Sequence, residues 1–173
     1  VFSVVRYGNV MGSRGSVIPF FLSLPPNKPI PITDKRMTRF MINLDEAVEL
    51  VWTAFKDAQG GEIYVKKIPS MGILDIARAI SGNSDHEIVG IRPGEKLHEQ
   101  MIGFEDSPFT FEYQNHYKIL PSIDSIHEDP SRIKDGVRVP DGFIYSSDNN
   151  SEWMSVEELE KWVNSNKELI GKI

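Results

Sequence analysis

The chain has 173 residues, of which 25% are charged and 40% hydrophobic, and its net charge is −6. This composition excludes a disordered or fibrous protein, and no apolar run approaches the roughly 20 residues that a membrane-spanning helix requires. Because there is no cysteine, disulfides and thiolate metal sites are excluded. The negative net charge argues against a general nucleic-acid binder. The absence of a signal-peptide pattern predicts a cytoplasmic protein.

Charge is distributed unevenly along the chain. Residues 1–40 carry six basic side chains and one acidic side chain, Asp34, which gives them a net charge of +5 and leaves −11 for the remainder. A basic segment of this kind has two interpretations, a solvated surface or a local site for an anion.

The first predicted elements are a strand and a helix. The run Val1–Tyr7 is almost continuously apolar, which is typical of a strand covered on both faces in a parallel sheet. Because such a strand needs neighbours on both sides, we expect this chain to be the C-terminal part of a longer protein. An extended, proline-containing segment follows over residues 29–33. Asn43 and Glu46 then form a capping-box pattern that predicts a helix to about Ala58.

This helix has a stripe of apolar residues that we expect to face the core. The stripe consists of Ala47, Val48, Val51, Ala54 and Phe55. Farther along, short strands and helices alternate. The strands are expected over residues 62–65, 87–91 and 117–120, and the helices over residues 73–80, 95–102 and about 156–170. We expect Ser70 to cap the helix 73–80, Ser155 and Glu158 to form a second capping box, and residues 121–150 to be irregular.

Arginines are the most informative polar residues. Arg39 lies between apolar neighbours, and Arg92 lies in a Pro-Gly turn. A planar guanidinium can donate two parallel hydrogen bonds to a phosphate, so Arg39 and Arg92 are candidates to bind one anion. The alternative is that Arg39 pairs with Asp34 or Asp45 and only holds its loop. Arg6 and Arg36 belong to the same set of candidates.

Other chemical signals are weak. The glycines at positions 8, 12 and 15 do not have the G-x-G-x-x-G spacing of a dinucleotide-binding turn. The four histidines fit no zinc pattern, so no metal site is expected. No serine lies in a G-x-S-x-G elbow, so no serine-histidine-acid triad is expected.

Six motifs occur in a fixed order along the chain. They are RYGNV (6–10), GSRGSVIPF (12–20), IPITD (30–34), MTRF (37–40), IRPGEKLHE (91–99) and YSSDNNSEW (145–153). Together they closely resemble the inverting UDP-N-acetylglucosamine 4,6-dehydratases. These are extended short-chain dehydrogenase/reductases of the polysaccharide-biosynthesis group, which also contains CapD-like sugar epimerases. The resemblance covers nearly the whole chain.

The resemblance implies an α/β fold made of the C-terminal part of a Rossmann fold, with its last parallel strands, and a small α/β substrate-binding lobe. Residues 1–66 would complete the Rossmann domain, interleaved with lobe segments, residues 67–145 would form the lobe, and residues 146–173 a tail and helix. In this family the glycine-rich NADP turn and the Tyr-x-x-x-Lys pair lie in the N-terminal half. Since none of the five tyrosines here has a lysine four residues on, no catalytic residue is expected in this chain.

The resemblance also assigns binding roles. Tyr7 would lie beside the nicotinamide of NADP, which the N-terminal half would mainly bind. Asn9 would contact the phosphate or sugar side of the UDP-sugar, Arg39 and Arg92 would clamp its diphosphate, and Glu95 would accept hydrogen bonds from its ribose. The apolar contacts would come from Val17, Ile18 and Pro19 along the nucleotide and from Pro31 and Ile32 near the uracil.

The implied reaction belongs to the full-length protein, which we expect to be a homo-oligomer. NADP would take hydride from carbon 4 of UDP-N-acetylglucosamine, water would leave from carbons 5 and 6, and hydride would return to carbon 6 with inversion at carbon 5. The product would be a 4-keto-6-deoxy sugar nucleotide for surface glycan or flagellin glycosylation. The alternatives are a CapD-like UDP-sugar epimerase, which would return hydride to carbon 4, or a non-catalytic nucleotide-sugar-binding module. The 173 residues alone are expected to be inactive.

Overall fold

A computed structural model describes residues 1–26, 28–82, 85–123 and 125–172. The chain divides into two compact units, each made of three segments. Unit 1 comprises Val1–Tyr7, Leu44–Lys67 and Gln100–Asn149, and unit 2 comprises Gly8–Asn43, Ile68–Glu99 and Asn150–Ile173. These units do not coincide with the expected division at residues 66 and 145, because the segment 100–149 contributes strands to the sheet of unit 1.

The elements are short and are labelled here in chain order. The strands are β1 (Val4–Arg6), β2 (Asn9–Val10), β3 (Ile30–Ile32), β4 (Thr38–Ile42), β5 (Ile63–Lys66), β6 (Ser70–Gly72), β7 (His86–Ile88), β8 (Gln100–Ile102), β9 (Thr110–Glu112), β10 (His116–Ile119), β11 (Val137–Arg138) and β12 (Tyr145–Ser146). The α-helices are α1 (Val17–Leu22), α2 (Leu44–Asp57), α3 (Ile73–Ser81), α4 (Pro130–Ile133) and α5 (Val156–Ser165). Two 3-10 helices cover Phe104–Phe109 and Ile126–Glu128.

Unit 1 is built on a five-stranded sheet with the order β1-β5-β10-β9-β11. The pair β1-β5 is parallel, and the other pairs are antiparallel. The predicted first strand is shorter than expected, because only Val4–Arg6 pair with β5, and Val1 and Phe2 are each 91% exposed.

Helix α2 covers this sheet through Leu50 and Ala54, which pack with the buried ring of Tyr64, and Ala47 of the same helix is also buried. The predicted apolar stripe is therefore correct for two of its five residues. Val48, Val51 and Phe55 are exposed, and Leu50 takes the core position. Because more than half of the residues of α2 are apolar, periodicity alone does not decide which edge of the stripe faces the sheet.

Charged side chains inside unit 1 are paired with one another. Lys118 is almost fully buried, and its Nζ donates to Asp57 Oδ2 at 2.8 Å. Asp57 also accepts hydrogen bonds from the Tyr64 hydroxyl and from Lys134. Arg132 Nη1 donates to Glu62 Oε1 at 2.6 Å, and the Glu62 side chain is 2% exposed. Such pairs offset the cost of removing charges from water.

Unit 2 packs three helices and two small sheets around one apolar core. The sheets have the orders β2-β4-β6 and β3-β7, and the pair β3-β7 is parallel. Helices α1, α3 and α5 contribute Ile18, Ile76 and Leu159 to this core. Helix α5 begins with the predicted capping box of Ser155 and Glu158, although it ends at Ser165 and not near residue 170.

The predicted cap at Ser70 is wrong. Ser70 lies in β6, and the N-cap residue of α3 is Gly72. Ser70 is instead bound by the tail motif: Asn150 Nδ2 donates to Ser70 Oγ at 3.0 Å and to the carbonyl oxygens of Ile68 and Glu152 at 2.8 Å. Trp153 Nε1 donates to the Asn150 carbonyl. The tail motif, for which the sequence suggested no role, therefore fastens β6.

The predicted helix over residues 95–102 is also wrong. Gln100–Ile102 form β8, which pairs with β12 in unit 1. Residues 96–99 form no regular element and instead bond to the edge of β4, for example through the Thr38 amide, which donates to the Leu97 carbonyl at 3.1 Å. These bonds to β4 replace the local hydrogen bonds that a helix would make.

Candidate functional site

Unit 2 contains a cavity of about 720 Å³ that gathers most of the predicted site residues. Seven of the ten line it: Asn9, Val17, Pro19, Pro31, Arg39, Arg92 and Glu95. They come from β2, α1, β3, β4 and the turn after β7. A cavity of about 810 Å³ in unit 1 contains none of the predicted residues.

Three predicted residues are placed elsewhere. Ile18 and Ile32 are 1% and 0% exposed and belong to the apolar core of unit 2. Successive residues of a strand point to opposite faces, so β3 turns Pro31 to the cavity and Ile32 to the core. Tyr7 belongs to unit 1, follows β1 and is 40% exposed.

Arg92 is presented by a tight turn, as the sequence predicted. The Glu95 amide donates to the Arg92 carbonyl at 3.0 Å, and the Arg92 amide donates to Glu95 Oε2 at 3.2 Å. Gly94 has φ of +83°, a conformation that favours glycine. Thr33 Oγ1 donates to Glu95 Oε1 at 3.3 Å, which links the turn to the residue after β3. Among the described residues, the Arg92 guanidinium has no hydrogen-bond or ion-pair partner.

Arg39 is held differently. Its Nη1 donates to the carbonyl oxygens of Thr38 at 2.7 Å and Leu97 at 3.0 Å, and its Nη2 donates to the Lys96 carbonyl at 3.1 Å. The alternative in which Arg39 pairs with Asp34 is wrong, because Asp34 accepts two hydrogen bonds from the Arg36 guanidinium.

The other two candidate arginines, Arg36 and Arg6, form ion pairs with carboxylates. Hydrogen bonds from the Arg36 side chain and backbone lower the pKa of Asp34 to about 2. Arg6, in unit 1, forms an ion pair with Asp106 at 3.1 Å. Among these four arginines, Arg92 is therefore the one whose guanidinium has no hydrogen-bond or ion-pair partner in the described part of the chain and is available to a ligand.

The cavity has a positive lining and apolar walls. Arg14, Arg39 and Arg92 line it together with a single carboxylate, that of Glu95. The guanidinium of Arg14, like that of Arg92, has no partner in the described part of the chain. The apolar walls are formed by Val17, Pro19, Phe20, Phe21, Pro31 and Val89. An arrangement of this kind suits a ligand that joins an anionic group to a flat apolar one.

Arg14 and Val89 were not predicted as site residues. The signal for Arg14 was available, because it contributes to the positive charge of residues 1–40 and lies in the GSRGS turn. For Val89 the sequence offers no comparable signal, because Val89 reaches the cavity only through the parallel pairing of β3 with β7, which its amide extends by donating to the Ile32 carbonyl.

The glycine-rich turn does not fit a dinucleotide. A pyrophosphate needs glycines whose missing side chains leave room for the ligand. A Cβ at Gly8 would lie 2.4 Å from the Phe40 Cβ, and one at Gly12 would lie 2.9 Å from the Trp162 ring. The missing side chains of Gly8 and Gly12 therefore make room for neighbouring protein atoms. Of the three glycines of this turn, Gly15 is the one that faces open space at the cavity. We derive no step through NADP from this turn.

The described ranges of the chain contain neither a metal cluster nor a membrane-spanning helix. No cluster of three or more histidine and carboxylate side chains there could hold a metal ion. None of the helices built from those residues has the length and apolar character needed to cross a bilayer.

Comparison with known proteins finds relatives that are named as sugar-nucleotide enzymes. Two curated relatives from Campylobacter jejuni, both named UDP-N-acetylglucosamine 4,6-dehydratase (inverting), are 51% identical over 165 and 170 residues. These alignments cover 91% and 94% of this chain but 49% and 51% of the relatives, so the chain spans about half the length of the curated relatives it matches. A UDP-glucose 4-epimerase from Rickettsia bellii is 43% identical over 124 residues, or 69% of this chain and 36% of that protein.

Structural and family comparisons agree with this result. The X-ray structure of Pen from Bacillus thuringiensis has a TM-score of 0.78 and 33% identity, covering 96% of this chain and 49% of that chain. This likeness confirms the predicted α/β fold, the C-terminal part of a Rossmann-type protein. Residues 1–121 match the family described as polysaccharide biosynthesis protein. The chain therefore belongs to the polysaccharide biosynthesis protein family, as its motifs predicted.

Proposed function

We propose that this chain forms the UDP-sugar-binding part of an NADP-dependent, C5-inverting UDP-N-acetylglucosamine 4,6-dehydratase. The observation that carries the proposal is the unit 2 cavity, where the guanidinium groups of Arg14 and Arg92, which have no partner among the described residues, meet apolar walls and the carboxylate of Glu95. A UDP-sugar has the matching parts, which are a diphosphate, a flat uracil and a ribose diol. The names of the two Campylobacter jejuni relatives support this substrate.

The ligand groups are assigned by chemistry. Arg92 offers all its guanidinium donors to the diphosphate, and the charge of Arg39 adds to the positive potential there. Asn9 lies at the same cavity as a donor to the phosphate or sugar. Glu95 already accepts bonds from Thr33 and from the Arg92 amide. A carboxylate has about four acceptor sites, so Glu95 keeps acceptor capacity for the two ribose hydroxyls.

The apolar part of the nucleotide is assigned to the opposite wall. Pro31 offers a rigid ring surface to the uracil, and Val17 and Pro19 extend this surface along the nucleotide. Ile18 and Ile32, which the resemblance placed in direct contact with the nucleotide, support this wall from the core behind it.

The reaction we propose for the full-length protein removes one water from carbons 5 and 6 and leaves a 4-keto-6-deoxy sugar nucleotide inverted at carbon 5. NADP, when bound, supplies hydride chemistry, and Tyr7 is the residue of this chain proposed beside it. The other residues bind and orient the sugar nucleotide. We propose a cytoplasmic, homo-oligomeric enzyme whose product serves surface glycan or flagellin glycosylation.

A second candidate function is a UDP-sugar epimerase, which the Rickettsia bellii relative favours. The same cavity serves both, because it recognises the nucleotide and not the outcome at the sugar. Mass spectrometry of the product made from UDP-N-acetylglucosamine by the full-length gene product separates them. A dehydratase product has lost one water, whereas an epimerase product keeps the mass of the substrate.

The binding site is tested by Arg92→Ala. Charge-assisted hydrogen bonds contribute roughly 1.5–3 kcal/mol each, so we expect UDP affinity to fall about 10- to 100-fold in calorimetric titration. The melting temperature should not change, since the Arg92 side chain is exposed and unpartnered in the described chain. Arg78→Ala is the matched control, because Arg78 is an exposed arginine of unit 2 that pairs with Asp75 away from the cavity. Equal UDP affinity in Arg92→Ala and the control would refute the proposed site.

A further inference from the structure

We propose that Arg39 is a positioning residue. Its guanidinium binds to β4 the segment 92–99, which carries Arg92 and Glu95. It does not itself make a bidentate contact with the diphosphate. This inference rests on the proposed function, because it concerns how the same cavity is built. It differs from the role that the resemblance implies for Arg39, which is a phosphate clamp equivalent to Arg92.

The first observation is the number of donors that Arg39 has left. A guanidinium has five N–H groups. Nη1 donates to two carbonyl oxygens, those of Thr38 and Leu97, and Nη2 donates to the Lys96 carbonyl and contacts Met37 Sδ at 3.6 Å. Only the Nε–H group has no partner among the described residues. A bidentate contact with phosphate through both Nη groups would therefore release the segment, and one through Nε and Nη2 would displace a contact that Nη2 already makes.

The second observation is that Arg39 stands at the centre of a row of contacts. On one side of it, the Thr38 amide donates to the Leu97 carbonyl at 3.1 Å, and Thr38 Oγ1 lies 2.8 Å from His98 Nδ1. On the other side, the Phe40 amide donates to Glu99 Oε2 at 2.9 Å. Three successive residues of β4 thus bind successive residues of the segment.

The third observation is that the segment has no regular secondary structure of its own. Residues 92–99 contain no helix or strand, and the turn from Arg92 to Glu95 is closed by local hydrogen bonds. Burial raises the pKa of Glu99, and the nearby charge of Arg39 opposes that rise. Arg39 therefore supports the segment through its donors and also through its charge.

The proposal makes a prediction for the protein without ligand. If Arg39 positions the segment, Arg39→Ala removes one donor from the carbonyl of Lys96 and one from that of Leu97, which loosens the contact with β4. Hydrogen–deuterium exchange of the Thr38 and Phe40 amides should then become faster, on the order of tenfold, since each lost hydrogen bond contributes about 0.5–1.5 kcal/mol. Arg92→Ala is the control, because it removes no contact between the segment and β4, and its exchange should match that of the parent protein.

UDP titration completes the test. We expect Arg39→Ala to weaken UDP binding as well, because Arg92 and Glu95 are no longer held in place. Weaker UDP binding with unchanged exchange would overturn the proposal, since it would show direct contact with phosphate. Faster exchange with unchanged UDP binding would also overturn it, since the segment would not need to be positioned. Failure of the proposed function is recognised separately, by unchanged UDP affinity in Arg92→Ala.

A second variant keeps the test valid if Arg39→Ala does not fold. Arg39→Lys retains the charge, but its single nitrogen cannot span the three carbonyl oxygens that the planar fork reaches. Positioning predicts that Arg39→Lys both speeds exchange at Thr38 and Phe40 and weakens UDP binding. If Arg39→Lys instead leaves the exchange unchanged and retains most of the UDP affinity, the charge alone is what matters and the proposal is wrong.

Discussion

The two units of this chain use their charged side chains in opposite ways. In unit 1, the buried Lys118 pairs with Asp57, and Arg132 pairs with the buried Glu62. In unit 2, the arginines at the cavity bind backbone carbonyls, as Arg39 does, or have no partner among the described residues, as Arg92 does. Charges that neutralise one another stabilise a fold, whereas charges left without a counterion are available to a ligand.

The largest effect that would test this contrast is expected from Lys118→Met. Removing one partner of a buried pair costs roughly 3–5 kcal/mol, because Asp57 keeps its charge but loses its principal counterion. We expect urea denaturation at neutral pH to show that loss, with UDP affinity unchanged. Lys67→Met is the control, since Lys67 pairs with Glu112, whose side chain is 48% exposed, and such pairs contribute less than about 1 kcal/mol. Equal losses in the two variants would remove the distinction drawn for unit 1.

The pair of Lys118 and Asp57 also affects how the stability of unit 1 changes at acidic pH. Burial raises the pKa of Asp57, but hydrogen bonds from Lys118, Lys134 and Tyr64 outweigh it, so the pKa lies below its ordinary value. A carboxylate with a lowered pKa stabilises the fold above its unfolded pKa, near 4, and this contribution is lost as the pH falls through the folded value. The free energy of unfolding of Lys118→Met should therefore depend less on pH below about 4 than that of the parent protein.

An intermediate loss of stability is expected from Asn150→Ala, because the uncharged side-chain amide of Asn150 holds β6 in place in unit 2. The substitution removes the donor that Asn150 supplies to the carbonyls of Ile68 and Glu152 and to the Ser70 hydroxyl. The free energy of unfolding should fall by about 1–3 kcal/mol. Asn149→Ala, at the exposed neighbouring position, is the control. A similar loss in both variants would mean that the amide contacts of Asn150 carry no special weight.

The smallest effect concerns His116, a titratable group of unit 1 that lies among cations. Burial lowers its pKa, and so do the charges of Lys118, Lys66 and Lys67, while Asp57 acts in the opposite direction. A histidine with a lowered pKa stabilises the fold above its unfolded pKa, about 6.5, and the contribution is lost as the pH falls. Between about pH 7.5 and 5.5, the parent protein should lose more stability than His116→Phe. Parallel curves for the two proteins would show that His116 is not disfavoured in its charged form.

The sequence predicted those parts of the fold that depend on local interactions. Helix α5 begins at the capping box of Ser155 and Glu158, and β3 is extended, as Pro31 requires of the residue before it. The segment 95–102 has helical spacing of apolar residues, yet it is not a helix. Residues 96–99 instead bond to β4, which lies more than 50 residues away in the chain, and residues 100–102 pair with β12. No local pattern reports on such distant partners.

The sequence predicted which residues belong to the candidate site better than it predicted the direction and contacts of their side chains. The motifs identified seven residues that the structure brings to one cavity. They did not indicate that Ile18 and Ile32 turn to the core. Nor did they indicate that the Arg39 fork is occupied by carbonyls of the segment 92–99. The direction of a side chain is decided by which face of its element is packed, and this depends on the whole unit.

The interleaving of the two units has a consequence for how the chain folds. The polypeptide passes between the units five times, so no single cut separates them. Strand β1 must wait for β5, which is synthesised almost 60 residues later, and Ser70 must wait about 80 residues for Asn150. Pairings between such distant residues close slowly, and until they form, strand edges and apolar surface stay accessible to other chains. The contacts between β6 and Asn150 thus form only after Asn150 has been synthesised, and a chain released before that residue would lack them.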